Sequence, residues 1–157
     1  MAQAKFSASN TLAGTQQALS TSYKTLLALT AATATLTSAE VYDVMFGTDG
    51  TPADNTVTYD ISRQTAAATG TAVTPVALDG SKRAAGTVGT ANATVEGTIT
   101  GASSVLSIAV NQRASYRWVA APGSELIIPA TNLAGFAFRA KSPSYTGTAV
   151  LTAFFGE

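Results

Sequence analysis

Apolar and polar residues alternate with a period of two along much of this chain, most cleanly in its last third. Leu106, Ile108 and Val110 alternate with Ser107, Ala109 and Asn111, which gives a strand one apolar side and one small or polar side. Tyr116 and Trp118 likewise point away from Ser115, Arg117 and Val119, and Phe136 and Phe138 away from Ala137 and Arg139. The pattern predicts strands over 105–111, 114–119, 136–141 and 148–155, with a short run over Leu126–Ile128. Pro122-Gly123 predicts a sharp turn, and Pro129 closes the short run.

Upstream, 22–31 and 39–46 read as strands, and the continuation of the first towards residue 36 reads as buried strand rather than as a signal segment. In the second, Tyr42, Val44 and Phe46 oppose Val41 and Met45, a two-sided apolarity that predicts a central, covered strand. Turn chemistry over 47–52 followed by alternating Val57, Tyr59 and Ile61 predicts a β-hairpin. Residues 73–78 are extended, but Pro75 cannot donate to a ladder and marks an edge or a bulge. Glycine-rich residues 79–92 carry no apolar period and read as a long surface loop, before a strand over 93–100.

The first twenty residues are small and polar, with Phe6, Leu12 and Leu19 as apolar anchors and a short helix possible around 16–19. We read residues 1–20 as an extended N-terminal arm that docks on a neighbouring chain, with an internal edge strand as the alternative, and 21–157 as one domain. Eight or nine strands at roughly ten-residue spacing predict an all-β, jelly-roll-like β-sandwich.

Composition narrows the function. Charged residues are 11% of the 157, against about 25% in ordinary soluble domains, and nine basic side chains balance nine acidic ones. No basic field is present to gather nucleic acid or anionic lipid, and no apolar run reaches the ~20 residues that span a bilayer. A surface left to Thr, Ser, Ala, Gly and Asn gives little electrostatic protection against association. The chain has neither cysteine nor histidine, which removes disulfides, thiolate nucleophiles, Cys-ligated zinc and the commonest general base.

The remaining motifs are weak. Gly86-Thr87-Val88-Gly89 after Lys82 and Arg83 faintly resembles a phosphate-cradling loop but lacks the Gly-Lys-Ser/Thr ending. Asp49, Asp54 and Asn55 lie close enough to hold Ca²⁺ without matching its loop spacing, so solvated turn residues are the better reading. Arg113, Arg117 and Arg139 read either as interface anchors beside aromatic residues or as a solvated outer face. We expect no catalytic residue, no cofactor and no metal.

Residues 111–123, Asn-Gln-Arg-Ala-Ser-Tyr-Arg-Trp-Val-Ala-Ala-Pro-Gly, followed by Glu-Leu-Ile-Ile-Pro-Ala over 125–130, resemble a segment recurrent in small structural proteins of tailed phages. Residues 63–65, 70–75 and 147–157 fit the same pattern, so the resemblance covers about 38–157. It implies a capsid decoration, or cement, protein: a β-sandwich, commonly trimeric, that binds the major capsid protein on the outside of the virion. From the composition we also expect no enzyme activity and no contact with nucleic acid or membrane. Phe6, Leu12, Leu19, Lys82, Arg83, Arg113, Arg117 and Arg139 are the expected interface residues. The alternative is a receptor- or glycan-binding module of a head or tail fibre, built on Tyr116 and Trp118.

Overall fold

The computed structural model describes residues 3–13, 16–32, 37–143 and 147–157. The all-β sandwich is borne out: thirteen strands among the described residues form two sheets packed face to face. A seven-stranded sheet holds β10 (Tyr116–Val119), β4 (Ala39–Asp49), β13 (Thr148–Gly156), β1 (Lys5–Ser9) and β7 (Val76–Ala77) in that order. Two short strands complete it, β11 (Leu126–Ile128) beside β4 and β2 (Gln17–Ala18) beside β13. The six-stranded sheet runs β6 (Thr69–Val73), β8 (Thr87–Val95), β3 (Lys24–Ala31), β12 (Gly135–Lys141), β5 (Thr56–Ala66) and β9 (Thr98–Asn111).

The layers meet through alternate residues. Val44, Phe46, Leu151, Ala153 and Phe155 of one sheet face Leu27, Leu29, Tyr59, Ile61, Phe136 and Phe138 of the other, all essentially fully buried. Each large side chain so placed contributes about 1.5–3 kcal/mol. Gly135 of β12 pairs with Thr30 of the neighbouring β3, and a Cβ there would sit 1.9 Å from the Leu29 carbonyl oxygen, so no other residue fits.

Several expectations change. The strand over 39–46 is not covered on both sides: a bulge leaves Tyr42 without a partner on β13, which flips the alternation. Ala39 and Val41 point inward before the bulge, Val44 and Phe46 after it, and Met45 stays exposed. The predicted hairpin is absent, because β4 and β5 belong to different sheets. Phe46 and Tyr59 instead meet across the layers, their ring centroids 4.7 Å apart and their planes tilted by 39°. The loop predicted over 79–92 ends early, since Thr87 begins β8, which lies between β6 and β3. Residues 16–19 form no helix; Gln17–Ala18 pair with β13 as β2. Pro75 does mark edges, falling between β6 and β7, which end different sheets.

The N-terminal segment is woven into the domain. β1 lies between β13 and β7, Phe6 is fully buried against Phe155 at 5.5 Å, and Ala8 is buried beside it. Alternation of Lys5, Ser7 and Ser9 with Phe6 and Ala8 was the available signal; small residues do not prevent a strand when both neighbours supply ladder bonds. A 3-10 turn, Asn10–Ala13, follows, and the Asn10 amide is buried. It donates to the Ala149 carbonyl at 2.8 Å and accepts from the Leu151 N–H at 2.8 Å. Part of the predicted strand continuation, residues 33–36, lies outside the described residues.

Candidate interaction surfaces

The residues expected at an interface are not brought together. Phe6 and Leu19 are buried within the chain; Leu12 lies in the 3-10 turn, and its side chain is outside the described set. Lys82 is exposed in the turn that follows Asp79. Arg139 is largely buried: it donates Nε and Nη2 to Asp60 at 3.0 and 2.6 Å, and Nη2 to Ser62 at 2.8 Å. Ser62 and Ser104 also donate to that carboxylate, each at 2.6 Å, and Tyr23 covers the guanidinium at 4.6 Å. Its partner Asp60 lies opposite it on β5, a pairing that no local sequence signal announces.

The other arginines are also engaged. Arg117 grips Asp43 with Nε at 2.9 Å and Nη2 at 2.5 Å, which holds its guanidinium above the ordinary value. The adjacent Tyr42 hydroxyl is pushed up by partial burial and then by Asp43. Arg113 pairs with Asp54 at 3.0 Å in the open, so that acid serves an arginine rather than a cation site. Arg63 lies over the Phe136 ring at 4.8 Å.

Arg83 explains the loop that resembles a phosphate cradle. The N–H groups of Gly86 and Thr87 donate to the carboxylate of Glu157 at 2.8 and 2.6 Å, and Arg83 approaches it at 3.2 Å. An anion does sit there, and it is the chain's own buried side chain, which ties the end of β13 to the start of β8. Nearby, Ser81 donates to Asp79 through its hydroxyl at 2.7 Å and its N–H at 3.0 Å. Those bonds, the hydroxyl's foremost, lower the Asp79 carboxyl below its usual range.

The outer face of the seven-stranded sheet carries apolar and hydroxylic residues together with the Arg117–Asp43 pair, Lys5 over the Tyr42 ring at 4.7 Å, and an exposed Glu40 that accepts from Gln3 Nε2 at 3.0 Å. Cross-strand register sets Val119, Asp43, Phe154, Ser7 and Val76 in one row across it, and Arg117, Met45, Thr152 and Ser9 in the next. Val119, Met45 and Val76 are 57, 47 and 53% exposed. Beside them a shallow cleft of about 220 Å³ is lined by Met45, Gly47, Ser115, Val150 and Thr152. A cleft of about 320 Å³ between Lys5, Leu78, Asp79 and Lys82 just reaches the size of small-ligand sites.

Tyr116 and Trp118 face inward from edge strand β10 and pack half-buried on the core, Tyr116 stacking on Phe46 at 6.3 Å. Among the described residues no group of three or more acidic side chains converges as a metal site, and no helix is long and apolar enough to cross a membrane. Searches of protein-family models, curated proteins and solved structures return no match.

Proposed function

We propose that this chain is a structural assembly protein that binds the outside of a viral shell through the outer face of its seven-stranded sheet and braces it there. The observation that carries this reading is that face itself. Met45, Val119, Val76, Val150 and Phe154 lie among Ser and Thr hydroxyls, and the charge of Arg117 is neutralised by Asp43. A large apolar surface with few charges costs solubility in a free monomer and is useful when it is covered. The resemblance of residues 38–157 to phage decoration proteins supplies the partner, the major capsid protein. The buried position of Phe6 moves the proposed contact from the N-terminal segment to this face.

Co-sedimentation with expanded shells of the cognate virus tests the reading. Saturable binding is expected, weakened by Met45→Lys and Val150→Lys in proteins whose melting temperature is unchanged. Absence of binding to any maturation state of the shell would overturn it.

A further inference from the structure

We infer that the free edge of β9 pairs with the β9 edge of a second copy of this chain, antiparallel about a two-fold axis at Ile108. β9 ends the six-stranded sheet, with β5 on one side and no strand on the other among the described residues. It is the longest strand, fourteen residues, and none of them is buried. Edge strands in monomers are normally blunted by charges or proline, yet residues 98–112 hold neither Lys, Arg, Asp, Glu nor Pro. The irregular pairing with β5 and the positive φ of Ala102 are confined to the first half, and 106–111 pair with β5 without a break.

The inner side of the strand points to an added neighbour. Leu106, Ile108 and Val110 stand opposite Ile61, Tyr59 and Val57, which are fully buried, and they pack on the same core while remaining half-exposed. The apolar layer therefore runs to the rim of the sheet and stops uncovered.

Register chooses a second copy as occupant. The Gln112 N–H bonds to Asn55 on the β5 side, so by alternation along the unbroken stretch the backbone groups of Ser107 and Ala109 point to the free edge. A two-fold axis at Ile108 then sets Ser107 against Ala109 of the other copy as a hydrogen-bonded pair. Leu106 meets Val110, and Ile108 meets Ile108. Apolar residues meet apolar ones on the inner face, small residues meet small ones on the outer, and no like charges face each other. Such a contact is isologous and closes at two copies, in place of the three that the family resemblance implies.

Sedimentation equilibrium of the full chain tests this. Wild type is expected at twice the 15.8 kDa chain mass. Ser107→Lys/Ala109→Lys places like charges opposite each other twice and is expected to weaken association by roughly tenfold or more. Ser107→Lys/Ala109→Glu places opposite charges there and is expected to restore the dimer. Circular dichroism of both variants checks that the fold is retained; should a variant not fold, hydrogen exchange of wild type across a dilution series replaces it, with Ser107 and Ala109 amides exchanging faster as the dimer dissociates. A wild-type monomer, a trimer, an oligomer indifferent to the double-lysine variant, failure of the Lys/Glu variant to recover, or amide exchange independent of concentration overturns the proposal.

Discussion

Replacing Arg139 by Met should be among the most damaging single changes available to a charged residue of this protein. The substitution keeps an unbranched side chain of similar reach, so the loss is chiefly electrostatic. Asp60, 3% exposed, would keep the hydroxyl donors of Ser62 and Ser104 but lose two charged hydrogen bonds and its ion-pair partner. An uncompensated buried charge costs about 3–5 kcal/mol. The two surviving donors place the expected loss near the lower end, about 3 kcal/mol. At about 2–4 °C per kcal/mol for a chain of this size, the melting temperature falls by roughly 6–12 °C. Arg113→Met is the control, because both members of its pair are exposed, at 60 and 72%; it should cost less than about 1 kcal/mol. Urea unfolding of the two variants, with the double change Asp60→Leu/Arg139→Met, completes the comparison. The double variant should recover most of the loss, since removing both charges removes the desolvation penalty with them. An Arg139→Met protein as stable as Arg113→Met would refute the reasoning and return Arg139 to the surface.

Phe6→Ala should cost about 3–5 kcal/mol by urea unfolding, because the ring is fully buried in an internal strand; a loss under about 1 kcal/mol would mean that residues 5–9 are a dispensable arm. Trp118→Ala should cost about 2–3 kcal/mol, less than a fully buried ring, since it packs half-exposed on an edge strand; an equally stable variant that had lost a glycan-array signal would favour receptor binding instead. Asp79, lowered in the folded state, adds stability above its unfolded value, and that stability is lost as pH falls through the folded value. Ser81→Ala should therefore move the Asp79 carboxyl titration seen by NMR upward, towards the ordinary ~4; an unmoved midpoint would refute the assigned cause.

Where one strand face is buried and the other wet, period-two alternation carried its own evidence, as in Thr148–Gly156 and the inward Tyr116 and Trp118. Sheet membership was not legible. The turn residues after Phe46 suit a hairpin as well as a passage between layers, and the contact that goes with the passage, Tyr59 packing on Phe46 across the core, lies outside any local pattern. Bulges hid equally well, because one extra residue at Tyr42 makes a half-exposed strand look apolar on both sides. The arginines were visible as residues but not as ion pairs: the partners of Arg113, Arg117 and Arg139 lie between 59 and 79 positions away.

The two proposed contacts occupy different parts of the sandwich, which makes them separable by experiment. The rows proposed to face the shell lie on the seven-stranded sheet around Met45 and Phe154, whereas β9 ends the other sheet. Arg117, beside Met45, is held by Asp43, so under the proposed reading apolar contact rather than its charge sets affinity. Binding to shells should then change little between low and moderate salt, because apolar burial is not screened as exposed charges are. The comparison has three arms: Met45→Lys, the Ser107→Lys/Ala109→Lys variant, and wild type, each measured for shell affinity at two salt concentrations and for mass in solution. Met45→Lys should lose shell affinity and keep the wild-type mass. The β9 variant should lose mass, and it should lose shell affinity only to the extent that two linked copies bind a repeating lattice more tightly than one. Steep weakening of wild-type binding by salt would mean that paired charges, not the apolar rows, face the shell.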